Sequence, residues 1–151
     1  METGIGKFCV RHVVTVTRKS TIIEAASLMR QHHIGALVVV AETAVGTVPV
    51  GVLTDRDIVI EIVAASLSPE TVTVGEIVQR PVITVRENAG YAETVRSMCV
   101  AGVRRVPVVD ARGVLVGIIS IDDMLRQLAS PLLALAELAG RERHFETATR
   151  P

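Results

Sequence analysis

The chain has 151 residues, and its 16 basic and 16 acidic side chains give a formal net charge of zero. Hydrophobic residues make up 49% and aromatic residues 2%, with no Trp, so Val, Ile, Leu and Ala must build the core of one domain or of two small ones. Extensive disorder is excluded, and nucleic-acid binding, which draws on net positive charge and aromatic stacking, is disfavoured. Mean hydropathy is high at +0.45, yet the strongest apolar run, Ile34 to Ala41, is only about eight residues long and falls short of a membrane span. Met1 to Lys7 has no basic stretch followed by an apolar one, so no signal peptide is read. Cys9 and Cys99 stand far apart with no C-x-x-C pair, which points to a reducing, cytoplasmic setting.

In chain order, Val13 to Thr17 reads as a short β-branched strand. Ser20 or Thr21 then caps a helix through about His33, with Ile22, Ala25, Ala26 and Met29 at helical spacing. Ile34 to Val40 is a continuous apolar run of strand length, expected where both faces of a strand are covered. Val48 to Leu53 is its partner strand, and Thr54 opens a helix through about Ala65. Ser66 to Gln79, containing Ser68-Pro69, reads as a connector. The same order returns as Val82 to Val85, Tyr91 to Ala101, Val103 to Val109, Leu115 to Ile119 and Ile121 to Leu128. Pro131 is expected to break the last helix, leaving Leu132 to Leu138 as a short apolar helix before a polar, poorly ordered end.

The returning order reflects an internal repeat. Val13-Val14-Thr15-Val16 matches Val82-Ile83-Thr84-Val85, an offset of 69 that also aligns Glu24 with Glu93, Met29 with Met98 and Val39-Val40 with Val108-Val109. Past the loop Glu42 to Pro49 the offset becomes 66, where Val50-Gly51-Val52-Leu53-Thr54 meets Val116-Gly117-Ile118-Ile119-Ser120 and Asp57 meets Asp123. Two copies of one strand-helix-strand-strand-helix unit are read: residues 1–66, then connector and second copy over 67–130, then a tail over 131–151. A unit of about 55 residues is marginal alone, so the two should pack sheet to sheet in an α/β (α+β) body.

The duplicated motif is Gly51-Val52-Leu53-Thr54-Asp55-Arg56-Asp57 and Gly117-Ile118-Ile119-Ser120-Ile121-Asp122-Asp123. A hydroxyl followed three residues later by an acid makes a capping box, which accounts for both side chains without any ligand. The same side chains emerge where a strand gives way to a helix, and an ionised Asp there can accept bonds from neighbouring ribose hydroxyls. The two readings are compatible.

With Ile34-Gly35-Ala36-Leu37 and Val103-Arg104-Arg105-Val106-Pro107-Val108 upstream, this doubled motif resembles a tandem pair of CBS domains, the modules named after cystathionine β-synthase. The resemblance covers about residues 7 to 130 and is similar to stand-alone pairs that carry no catalytic or transport domain. It implies pseudo-two-fold packing of the repeats and two clefts able to bind AMP, ADP, ATP or S-adenosylmethionine. It further implies that Thr54 and Asp57 join Ile83 and the Val103-Arg104-Arg105 backbone, while Ser120 and Asp123 join Val14 and Ile34-Gly35-Ala36. Arg104 and Arg105, with Arg56 as a further candidate, could meet phosphate oxygens, so the Asp57 cleft is expected to prefer phosphorylated ligands. The resemblance also implies a homodimer, here through the apolar helices Ile58 to Ala65 and Met124 to Leu128.

Other chemistries find less support. His32 and His33 point to different faces of a helix and no acid or Cys stands at ligand spacing, so no metal site is expected; His12, near the start of the first strand, is a candidate only for the border of the Asp123 cleft. Ser120 lacks a nucleophile elbow, neither Cys has an evident His partner, and Val45-Gly46-Thr47 lacks the lysine of a phosphate loop. No enzyme activity and no catalytic cofactor are therefore expected. The alternative to a ligand sensor is a ligand-independent interaction protein, its Thr/Ser-x-x-Asp motifs only helix caps and its tail Leu132 to Gly140 docked on an unidentified partner.

Overall fold

The structure, a computed structural model, describes residues 4–149; the first part of the leader reading, Met1 to Thr3, and the chain end at 150–151 lie outside the described residues. Two three-stranded sheets form, each mixed in direction. In the first, β1 (Thr15–Thr17) runs parallel to β2 (Ala36–Thr43), which pairs antiparallel with β3 (Gly46–Thr54). In the second, β4 (Val85–Arg86), β5 (Arg105–Val109) and β6 (Leu115–Ser120) repeat that arrangement. Between strands lie α1 (Ile22–His32), α2 (Asp55–Ile58) continued by a π-helical turn over Val59–Val63, α3 (Val74–Ile77), α4 (Tyr91–Ala101) and α5 (Ile121–Thr149).

The local chemistry explains the elements. Thr21 caps α1 by accepting from the Glu24 N–H while the Glu24 carboxylate accepts from the Thr21 N–H, and Ile22, Ala25 and Met29 bury one face of the helix. Leu37 and Val39 enter the first core; Val38 and Val40 point the opposite way and are buried too, so both faces of β2 are covered as its unbroken apolar run predicts. The sheets approach each other through β3 against β5 and β6.

Each core is completed by a segment from outside its own repeat. Ile5, Phe8 and Cys9 pack into the second core, and Val10 forms an antiparallel bridge to Ile118 of β6. Val72, Val74, Ile77 and Val78 pack into the first core, and Thr73 bridges to Thr21. Ile5 and Val74 are both fully buried and stand 69 residues apart, so the repeat extends into the opening residues and the connector. Gly117 and Gly51 make room for this exchange: an added Cβ would lie 2.5 Å from Cys9 Sγ in one and 2.5 Å from Val78 Cγ1 in the other.

Three expectations change. The short parallel strands cover only Thr15–Thr17 and Val85–Arg86, so Val13, Val14, Val82 and Ile83 lie outside them, and Ile83 is 42% exposed. The connector contains α3, whose cap was legible as Thr73 and Glu76. Pro131 does not break the last helix: α5 runs through it to Thr149. Proline removes one N–H bond, but the flanking Ala129, Leu132, Leu133, Ala134, Leu135 and Ala136 are strong helix formers that sustain the helix on both sides. Among the described residues no helix is long and apolar enough to cross a membrane.

Candidate functional site

Both duplicated motifs lie where the last strand of a sheet, β3 or β6, hands over to a helix. In the first repeat, the Thr54 hydroxyl and N–H both donate to Asp57 Oδ2, at 2.7 and 2.8 Å, and the Asp57 N–H donates back to Thr54 Oγ1 at 3.1 Å. In the second, Ser120 donates to Asp123 Oδ2 at 2.6 and 2.9 Å and accepts from the Asp123 N–H at 3.2 Å. Both carboxylates are half-buried and fixed beside helix N-terminal N–H groups, where the helix dipole favours negative charge. Oδ2 is engaged in each cap, which leaves Oδ1 as the oxygen able to meet another molecule.

The second oxygens differ. Asp123 Oδ1 forms an ion pair with Arg126 at 3.5 Å, whereas Asp57 Oδ1 has no partner among the described residues. At the position of Arg126 the first repeat carries Ile60, which is exposed.

Sheet register determines which other residues accompany each motif. Ala36 sits opposite Thr54, and the Asp55 N–H donates to the Gly35 carbonyl at 3.0 Å. Arg105 sits opposite Ser120, and the Ile121 N–H donates to the Arg104 carbonyl at 2.9 Å. The contacts present thus join Thr54 and Asp57 to Gly35 and Ala36, and Ser120 and Asp123 to Arg104 and Arg105, within a repeat. These are contacts within one sheet, whereas the grouping that the resemblance implied lies across the two repeats.

The remaining candidates are placed as follows. Val14 is half-buried against the first core and its carbonyl accepts from the Val38 N–H; Ile83, Ile34 and Val103 are exposed apolar side chains. Arg56 and Arg104 are exposed and Arg105 is half-buried. His32 and His33 are exposed at the end of α1, and among the described residues no three His, Cys, Asp or Glu side chains gather as a metal site would require. Cys9 and Cys99 are free thiols; burial raises the Cys9 pKa, as befits a side chain packed over Gly117. A groove along α5, lined by Pro131, Leu135 and Leu138, contains none of the expected residues. Sequence reasoning missed Asp55 and Arg126; the signal was present in the 66-residue offset, which sets them against Ile121 and Ile60.

Comparison with known proteins agrees with this duplicated architecture. The CBS domain model matches residues 5–64 and 74–130, and the chain belongs to that family as a tandem pair. It is 38% identical over 125 residues to an uncharacterized protein of Methanopyrus kandleri, a match covering 83% of this chain but only 62% of that relative's own length. It is 40% identical over 116 residues to hypoxic response protein 1 of Mycobacterium tuberculosis, covering 77% of this chain and 78% of the relative. A crystal structure of hypoxic response protein I, with two coordinated zinc ions, superposes with a TM-score of 0.72 at 38% identity, covering 83% of this chain and 98% of that one. The CBS domain pair of protein MJ0100, solved with 5′-methylthioadenosine and S-adenosyl-L-methionine, superposes with a TM-score of 0.74 at 27% identity, covering 87% and 99%.

Proposed function

We propose that this chain is a regulatory module that binds an adenosine-containing ligand, such as AMP, ADP, ATP or S-adenosylmethionine, between strand ends and helix starts of its two repeats. The observation that carries the reading is the duplicated junction, in which Thr54–Asp57 and Ser120–Asp123 hold a fixed, half-buried carboxylate with one oxygen directed to its cap and the other turned away from it, unpaired among the described residues at Asp57 and paired with the exposed Arg126 at Asp123. A ribose offers adjacent hydroxyls that can donate to such an oxygen. The backbone turns at Ile34-Gly35-Ala36 and Val103-Arg104-Arg105, with the apolar Val14 and Ile83, suit an adenine ring read through main chain and hydrophobic contact. The methylthioadenosine and S-adenosylmethionine bound by the MJ0100 pair support this ligand class.

The chain performs no catalysis in this reading. Ligand binding stabilises one arrangement of the repeats over another, and the output passes through self-association or a partner in the cytoplasm. The exposed Val59, Ile60 and Val63 after α2 and Leu125 and Leu128 of α5 are the surface for a homodimer. Functionally the chain divides into repeat one to residue 66, repeat two to residue 130, and a tail.

A second reading is favoured by the completeness of the caps, since every hydrogen bond named above exists without a ligand. There the motifs only start helices, and the exposed Leu132, Leu133, Leu135 and Leu138 of α5 dock on another protein. A thermal-shift panel with AMP, ADP, ATP, NAD and S-adenosylmethionine separates the two. A ligand at about 100 times its Kd adds about 2.7 kcal/mol, several degrees for a chain of this size, and Asp57→Ala or Asp123→Ala abolishes the shift. A melting temperature indifferent to all five ligands supports the ligand-independent reading.

A further inference from the structure

The last helix carries a periodicity that neither core uses. Among the described residues of α5 only Met124 enters a core, and every side chain from Leu125 to Arg141 is exposed. Along that length Ile121, Leu125, Leu128, Leu132, Leu135 and Ala139 follow one another at intervals of four, three, four, three and four residues, the alternation that keeps a two-helix seam on one face. The five aliphatic members before Ala139 are between 39 and 63% exposed. The first repeat has no such seam, because Ile62, the counterpart of Leu128 at the 66-residue offset, turns into the first core.

We infer that this stripe is a self-association seam, and that its occupant is α5 of a second copy of this chain. The inference rests on the homodimer of the proposed function and extends it from Leu125 and Leu128 into the tail; it is independent of nucleotide binding. Three observations favour a second copy. The intervals read the same in both directions, so the seam is complementary to itself across a two-fold axis. The positions that flank it after Met124 are Ala129, Pro131, Ala136 and Leu138, none of them charged, so two identical helices meet no like charge at their edges. The exposed aliphatic side chains, with Leu138 at the margin, amount to about 500 Å² on each copy and about 1,000 Å² for the pair, the size at which a specific interface begins. A lipid surface fits less well, because the exposed charges of α5 at Asp122, Arg126, Glu137 and Arg141 balance and supply no basic face. Covering the seam also accounts for a helix that leaves its own domain, since most helical stability comes from packing an apolar face rather than from propensity.

The experiment is sedimentation equilibrium of the full chain, with adjacent leucines as probe and control. Leu132 and Leu135 lie on the seam, whereas Leu133, 66% exposed, stands about 100° further round the helix and off it. The unmodified chain should dimerise, and Leu132→Glu with Leu135→Glu should weaken the dimer at least tenfold, because each carboxylate would be buried against an apolar face. Leu133→Glu should leave the dimer unchanged within about twofold. All three positions are exposed and glutamate is a good helix former, and circular dichroism verifies the fold. A dimer indifferent to the seam variants, or weakened equally by Leu133→Glu, overturns the seam and leaves the homodimer to Val59, Ile60 and Val63. An unmodified chain that stays monomeric overturns both the seam and the homodimer, and leaves the face to a different protein.

Discussion

From the same start, the second helices of the two repeats diverge. The helix after β3 loosens into a π turn, where the Ala64 N–H donates to the Val59 carbonyl at 2.9 Å, and ends near Ser66, which takes a left-handed φ of 56°. That turn places Ile62 in the first core and releases the chain toward the second repeat. The helix after β6 buries Met124 in the second core and then continues to Thr149 with no further buried residue described, its Leu125, Leu128, Leu132 and Leu135 exposed. A four-residue cap motif therefore sets where a helix begins, whereas its length follows from what the chain must do next. One helix is shortened because the chain must return and complete the same core through Val74 and Val78; the other has no such duty.

The exchanged segments offer the most severe test of that symmetry. Ile5→Ala removes a fully buried side chain from the second core and should cost about 2–4 kcal/mol. Val74→Ala, its counterpart 69 residues on, should cost about 1 kcal/mol less because one methylene fewer is removed. Urea unfolding followed by both circular dichroism and amide exchange checks the pair. If the two repeats form one cooperative body, each variant lowers protection throughout the chain; loss confined to one repeat would show that the exchange of segments does not couple them.

A smaller test uses the ends of α1 and α4. His33 and Gly102 occupy equivalent left-handed positions, φ 54° and 64°, and the following N–H groups of Ile34 and Val103 donate to Met29 and Met98 carbonyls at 3.0 and 3.1 Å. Glycine adopts this conformation without strain, while histidine does so at a cost. His33→Gly should therefore stabilise the chain by about 1 kcal/mol, and Gly102→Ala should destabilise it by about the same amount, since a Cβ there meets no atom within 4 Å and only backbone strain is added. Opposite signs in thermal melts verify the symmetry; equal signs break it.

Much of this was legible in the sequence because it is local or periodic. The boundaries of α4, the cap at Thr21, the buried run of β2 and the two Thr/Ser-x-x-Asp junctions each depend on a few adjacent residues. The exchange of Ile5 and Val74 was not read, although the 69-residue offset extends to both, because each segment is too short to show a period of its own. Pro131 misled for the opposite reason: its local signal is strong, but the Ala and Leu residues around it favour helix more in sum. The pairing of Arg105 opposite Ser120 within the second sheet depends on strand register, which residue types alone do not specify in apolar strands, and it leaves the expected grouping across the repeats as it was. The ion pair of Arg126 with Asp123 follows from helical spacing, since the two stand three residues apart on α5, but it lies one turn beyond the repeated motif.

The smallest expected effect concerns α3, the short helix of the connector, whose counterpart 69 residues earlier is a single 3-10 turn over Ile5–Lys7. Glu76 accepts from the Thr73 N–H at 2.6 Å and from its hydroxyl at 2.8 Å, and these bonds hold the Glu76 carboxyl below its ordinary pKa. A group whose folded pKa is lowered contributes stability above its unfolded pKa, about 4.3 for Glu, and loses it as pH falls through the folded value. Glu76→Gln keeps the cap's shape but removes the titration, so the advantage of the unmodified chain over the variant should be constant above about pH 5 and shrink steadily below about pH 4. Urea midpoints measured across that range check the sign. Because Glu76 is exposed, the effect is small and screened by salt, and high ionic strength should reduce the difference. A difference that grows on acidification would mean that the Thr73 bonds do not stabilise the ionised form, and that α3 is held in the first core by Val74 and Val78 alone.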